Sequence, residues 1–296
     1  ANFSATKRNE NRGFDQAFRY ATTFNPTAPV RDPNGEIRSD GFTSTGGFVE
    51  MQVFDAFNPV AIIETGENTA EQRRLDMALK ADVTLDDFIS GLSGSVFYSL
   101  ETENTSNNVF FSKNNKLNGK ATQAQLGEGR AERNSFEDQN ELFEVTTNYL
   151  TDLEKLSIEV LGGFSYQDFQ NSGTMVGGGN FVSDAVESNN LQFSQDFDNG
   201  LGDIRSFEES NTLIAGFGRV NFNYDDTYFL NSSVRREGSS RFGENQKWGT
   251  FWSIGGGVEV INLVDIQNIS SLRFRASYGV SGQDAPANGL SKLRFA

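Results

Sequence analysis

Arg235–Gly257 reads RREGSSRFGENQKWGTFWSIGGG, and two alternating segments meet at its polar, glycine-bearing tip. Before the tip, Tyr228, Leu230, Ser232 and Val234 share one side of an extended chain, with Phe229, Asn231, Ser233 and Arg235 on the other. After it, Trp252, Ile254, Gly256, Val258 and Val260 oppose Ser253, Gly255, Gly257 and Glu259. Successive side chains of a strand point to opposite faces, so each segment has one apolar face and one polar or small face. The linker SSRFGENQKW is too long for a two-residue turn and too polar for a core, which predicts a hairpin with its tip in water.

The same period recurs outward from this hairpin. Leu75, Met77, Leu79, Ala81 and Val83 oppose Asp76, Lys80 and Asp82; Leu92, Val96, Tyr98 and Leu100 oppose Ser93, Ser95, Phe97 and Glu101. Phe143, Val145 and Tyr149 oppose Glu144, Thr146 and Asn148; Leu156, Ile158, Val160, Phe164 and Tyr166 oppose Glu159, Ser165 and Gln167. Ile214, Val220, Phe222 and Tyr224 oppose Arg219, Asn221 and Asn223, and Leu272, Phe274, Ala276, Tyr278 and Val280 oppose Arg273 and Arg275. With residues 1–12 as a rising strand, about nine strands are predicted. Short turns near 85–90, 151–154 and 224–227 are expected to alternate strictly with long polar loops at 102–139 and 169–209. Phe14–Phe24 is expected to form a short helix ended by Asn25-Pro26, and Phe54–Ile63 a second short element holding Asn58-Pro59. Pro33 and Asn34-Gly35 mark irregular structure.

Composition removes many function classes. The chain has 296 residues with no cysteine and no histidine, so disulfide frameworks, thiolate chemistry, common zinc sites and His-based catalysis are excluded by residue type. A net charge of −15 argues against nucleic acid, which needs clustered Lys and Arg. No run of about 20 apolar residues occurs, so no transmembrane helix is predicted. Barrel strands carry only a weak alternating signal, and a mean hydropathy of −0.49 fits such strands with polar loops. The chain opens mid-pattern on NFSATKRN without a signal peptide, an opening expected where the start is missing or processed.

Two features favour a membrane over a soluble sandwich. Short turns on one side with long loops on the other is how outer-membrane barrels are built, and strands of about 10 residues suit a tilted bilayer crossing. In addition, the charges Asp76, Lys80, Glu144, Glu159, Arg219, Arg235, Glu259, Arg273 and Arg275 all avoid the apolar face. Arg or Lys at mid-membrane on that face would cost about 2–4 kcal/mol. Tyr149, Tyr166, Tyr224 and Tyr228 are expected near strand ends, as an aromatic girdle.

The run RREGSSRFGENQKWGTF closely resembles the most recurrent motif of the SusC/RagA family of TonB-linked outer-membrane transporters. AFRYATTFNPTAPV at Ala17–Val30 and SSLRFRASYGVSGQ at Ser270–Gln283 agree, and the three stand in the family's order. The motif hairpin comprises Arg236, Gly238, Ser239, Ser240, Arg241, Phe242, Gly243, Lys247, Trp248 and Gly249. The resemblance implies an all-β, antiparallel transmembrane β-barrel, 22-stranded and plugged, of which residues 1–296 would be a partial wall without the plug or the closing strands. It further implies a Gram-negative outer-membrane location of Bacteroidetes type and import of a glycan, oligosaccharide or peptide. The implied partners are a SusD-like surface lipoprotein, outer-membrane lipid and the TonB complex, reached through a missing N-terminal segment. No cofactor, metal or enzymatic chemistry is implied, and the chain's stop at LRFA departs from the family's aromatic-terminated closing strand.

The lumen-facing candidates are Arg219, Arg235, Glu259, Arg273 and Arg275, which would face plug or solute. Charges so placed pair with each other or with the plug more often than they bind substrate. Aromatic loops at Asn107–Phe111 and Phe181–Phe197 are candidates for sugar rings or a lid lipoprotein. Asp196–Gly200 lacks the ligand set of a calcium loop, Gly177–Gly179 lacks the GK[ST] of a phosphate loop, and Glu208-Glu209 reads as surface charge. The rival reading is a soluble or surface-attached all-β carbohydrate-binding protein or adhesin, which must bury the apolar faces against a second sheet.

Overall fold

Alternation of this kind is stable only where every strand finds a neighbour for its backbone. The computed structural model describes residues 1–32, 42–51, 57–117, 129–264 and 269–283. In chain order these form β1 (Asn2–Asn11), α1 (Asp15–Ala21), β2 (Phe42–Thr45), β3 (Phe48–Met51), α2 (Pro59–Glu64), β4 (Gly66–Thr84), β5 (Leu92–Phe111), β6 (Arg130–Leu153), β7 (Leu156–Gly179), α3 (Gln195–Asp198), β8 (Asp203–Tyr224), β9 (Tyr228–Ser239), β10 (Trp248–Glu259) and β11 (Arg273–Gly279). Nine strands make one sheet in the order β1-β4-β5-β6-β7-β8-β9-β10-β11, and β2 pairs with β3 separately. All neighbours are antiparallel, so the expected nine-strand meander is present.

Register carries each face across the whole sheet. Val83 stands beside Gly94, then Thr147, Gly162, Gly218, Val234 and Trp252. One step away on the other face, Asp82 stands beside Ser95, Thr146, Gly163, Phe217, Arg235 and Phe251. The apolar side is uncovered: Leu230, Val234, Trp252 and Ile254 are 44–49% exposed. Among the described residues no second sheet packs on it, which removes the buried interface that a sandwich requires. An exposed apolar face of this extent marks a surface made for an apolar partner.

Several boundaries differ from those expected. The two ends of 102–139 and of 169–209 are paired strand, because β5 continues to Phe111, β6 starts at Arg130, β7 runs to Gly179 and β8 starts at Asp203. Above the apolar belt neither face is apolar, as in Gln170–Thr174 of β7, so hydrophobic alternation fades while the backbone ladder continues. For the same reason Tyr166 lies well inside β7 and marks the upper edge of the belt instead of a strand end. The turn expected at 151–154 narrows to Glu154-Lys155, with Glu154 at φ 52. Strict short–long alternation fails at the last hairpins, where the long side holds only 240–247 and the short side holds 260–272. The helix in Phe14–Phe24 is confined to α1, with further turns to Phe24. α2 begins only after Asn58, and residues 52–56 and 33–41, including Asn34-Gly35, lie outside the described residues.

Replacing Leu230 by Arg should lower the stability of the bilayer-embedded protein by about 2–4 kcal/mol, whereas Asn231→Arg on the opposite face should cost far less. Denaturant unfolding in lipid vesicles reads both, and equal losses would contradict the assignment of faces.

Candidate functional site

Every candidate charge lies on the polar face, and most are already matched. Arg219 Nη2 stands 3.6 Å from Glu159, whose other oxygen accepts Asn221 Nδ2 at 2.8 Å. Arg235 Nε donates to Glu237 at 2.8 Å while its guanidinium sits 5.6 Å from the Phe217 ring centre. Glu259 is 5% exposed and accepts the backbone N–H of Leu272 (2.6 Å), the Ser271 hydroxyl (3.0 Å) and Arg273 Nε (2.9 Å). Arg273 in turn covers Phe229 at 4.2 Å. Arg275 lines a hollow with Phe229, Asn231 and Arg273. A second hollow of about 860 Å³ spans β6 to β11 and is lined by Glu144, Phe217, Arg219, Arg235 and Phe251. Paired charges on aromatic platforms make a stiff polar wall, since each partner restricts the other.

The motif hairpin is built from contacts within itself and with β8. Gly238 faces Trp248, and a Cβ there would come within 3.0 Å of the indole, so glycine lets the ring lie across the strand. Arg236 stacks on that ring at 5.7 Å. Ser239 is buried, donates its N–H to Lys247 (2.9 Å), and its hydroxyl accepts the Arg241 N–H (3.3 Å). Ser240 exchanges two bonds with Thr212: its N–H donates at 3.0 Å and its hydroxyl accepts at 2.9 Å. The Phe242 N–H donates back to Ser239 O at 3.4 Å, and Gln246 N–H to Gly243 O at 2.9 Å. Phe251 crowds Gly249, where a Cβ would fall 2.7 Å from the ring. These residues shape the tip and clamp it to β8.

The connections at the upper end of the strands form a crown with its own core. Ala17, Tyr20 and Ile62 are buried together, with Phe14, Met51, Phe57 and Leu117 against them. The aromatic loops belong to this packing: Phe110 and Phe181 are each 7% exposed and enclose Ala131, and Phe111 packs on Phe14 at 5.0 Å. Phe110, Phe111 and Phe181 are therefore structural, whereas Phe193 remains exposed. Asp196, in the segment that superficially suggested calcium, is buried and accepts the Gly179 N–H at 2.8 Å, holding α3 to the end of β7.

The residues that sequence reasoning missed are Glu50 and Asn58. Asn58 caps α2 by accepting the N–H groups of Val60 (3.0 Å) and Ala61 (3.3 Å), and its amide donates to Val30 O (2.8 Å) and Val49 O (3.0 Å). Glu50, fully buried on β3, accepts the Asn58 N–H at 2.8 Å. Burial pushes its carboxyl up to about 7, opposed in part by the Asn58 N–H and by Lys116. Asn followed by Pro at the first helical position is a helix-start signal, and it was the available clue to Asn58.

No family model matches the chain. TonB-dependent receptor P3 of Formosa agariphila is 30% identical over 249 residues, covering 81% of this chain and 23% of that protein. TonB-dependent receptor SusC of Bacteroides thetaiotaomicron is 27% identical over 144 residues, 48% of this chain and 14% of that protein. The structure of the RagAB peptide transporter superposes with a TM-score of 0.67 at 22% identity, over 76% of this chain and 24% of that one, a likeness of fold. The chain thus spans under a quarter of the length of these relatives.

Two outcomes follow from this geometry. Gly238→Leu should displace the indole of Trp248 and cost about 1–3 kcal/mol, visible as a shifted and more quenchable tryptophan emission, while Gly243→Ala, with open space around it, should be silent. Glu50 binds its proton more tightly folded (about 7) than unfolded (4.5). Crown stability should therefore fall as pH rises from about 4.5 to about 7, by up to about 3 kcal/mol, and stay level above that. Hydrogen-exchange protection of the Val60 and Ala61 amides, corrected for intrinsic rates, should show the fall in wild type and not in Glu50→Gln.

Proposed function

The chain belongs to the SusC-like TonB-dependent receptors, and from that premise we propose that it forms part of the wall of an outer-membrane importer for a large nutrient, a glycan or a peptide. The nine strands supply part of a plugged 22-stranded barrel; the plug, the remaining strands and the TonB-contacting segment come from outside these 296 residues. A SusD-like lipoprotein covers the crown, where Phe18 and Val182 present exposed apolar side chains. The wall does no bond chemistry: it keeps lipid on one side and a hydrated passage on the other. Arg219, Arg235, Glu259, Arg273 and Arg275 face that passage.

The observation that carries this reading is the division of faces, with apolar side chains uncovered on one and paired charges gathered on the other. A strand in hydrocarbon needs such a division, because its backbone groups must bond within the sheet and its outward side chains must carry no charge.

Fractionation of native cells producing the full-length protein tests it. Extraction from the outer membrane only by detergent, a gel mobility that changes on boiling, and a co-purifying lipoprotein are expected. Release into buffer as a soluble species with unchanged mobility would overturn the reading.

A further inference from the structure

The outward face changes character at the top of β9 and β10. Rising along β9 the outward positions are Tyr228, Leu230, Ser232, Val234 and then Arg236. Arg236 stands between Thr250 of β10 and Gly216 of β8, and no atom lies within 4 Å of where a Gly216 Cβ would be, so the space beside the guanidinium is open. Its guanidinium carbon lies over the Trp248 ring, 5.7 Å from the ring centre.

Arg236, like Arg133 higher on β6 and unlike Lys7 and Arg73, has no ion pair among the described residues. Lys7 and Arg73, outward on β1 and β4, share Glu71 at 2.9 and 2.6 Å. Arg235, on the opposite face, is held by Glu237 at 2.6 Å. Among the described residues no ion pair of Arg236 accompanies its stacking on Trp248. An unneutralised guanidinium fixed beside a tryptophan, one step above the last apolar residues, stands where a bilayer gives way to its headgroups. Its planar edge matches a phosphate, with two N–H groups able to reach two oxygens.

We propose that Arg236, held by Trp248, binds the phosphate of a lipid headgroup in the leaflet on the crown side. This rests on the reading of the chain as a membrane wall. The hairpin motif then anchors the barrel's height in the bilayer as well as shaping its own tip.

The test uses the full-length protein in detergent micelles, with lipid adducts counted by native mass spectrometry. Phosphatidylglycerol should bind more tightly than an uncharged glycosyl diacylglycerol. Arg236→Gln should weaken the phosphatidylglycerol adduct about fivefold, as one interfacial basic residue contributes about 1 kcal/mol. Arg236→Lys should recover only part of the affinity, because an ammonium keeps the charge without the two-point contact, and Arg19→Gln, on the crown, should leave it unchanged. Each variant must keep its heat-dependent gel mobility, which separates lost binding from lost folding. Wild-type affinity in Arg236→Gln would overturn the proposal, as would displacement of the lipid by excess inorganic phosphate, which would reveal a site for free anions. A wild-type protein soluble without detergent would instead sink the membrane reading beneath it.

Discussion

The arrangement depends on one constraint: a sheet that closes its backbone hydrogen bonds strand to strand while keeping charge off the apolar belt of one face. In hydrocarbon an unpaired N–H or C=O costs several kcal/mol, so the ladder must run unbroken. The pairing of β4 through β8 meets that demand over long continuous registers. Period two then assigns each side chain to a face, and a slip of one residue would put Arg235 and Glu259 outside. Polar groups gathered on the other face are stabilised against each other, as in Glu259 with Leu272, Ser271 and Arg273.

The same economy governs the upper end of the strands. Strands of 24 residues in β6 and β7 far exceed a tilted crossing of about 9–11, so their upper parts stand in water as a polar rampart. The crown ties these ends together with few but buried elements. Asn58 joins Val30, Val49 and the start of α2, and Glu50 secures Asn58. Val30 closes the Ala17–Val30 motif and Ser239 begins the hairpin tip, so two of the stretches that mark the family act as joints between segments.

The sequence made the belt legible because residues such as Leu75 to Val83 and Tyr228 to Val234 must alternate where one face meets an apolar medium and the other does not. It concealed the upper strands, since ETENTSNN in β5 has no apolar face to betray its period and is held by its backbone ladder and by polar side chains, Glu101 to Arg74 and Glu103 to Gln72. Parity puts the polar-face charges on one face in sequence and structure alike, whereas a partner can lie out of its reach: Arg219 finds Glu159 from two strands of distant sequence, which no local pattern announces. Phe110 and Phe181 misled because an aromatic in a polar loop reads as a binding group, whereas here the two close a small core over Ala131.

No cysteine occurs in these 296 residues, so single reporter thiols placed among them test the central claim. Spin labels placed one at a time at Leu230, Asn231, Ser232, Ser233 and Val234 in the vesicle-embedded protein would be relaxed by oxygen, concentrated in lipid, or by a water-soluble nickel complex. Alternating accessibility is predicted, with 230, 232 and 234 favouring oxygen and 231 and 233 favouring nickel. Uniform water access, or uniform protection from both reagents, would contradict a wall with lipid on one side and a hydrated passage on the other.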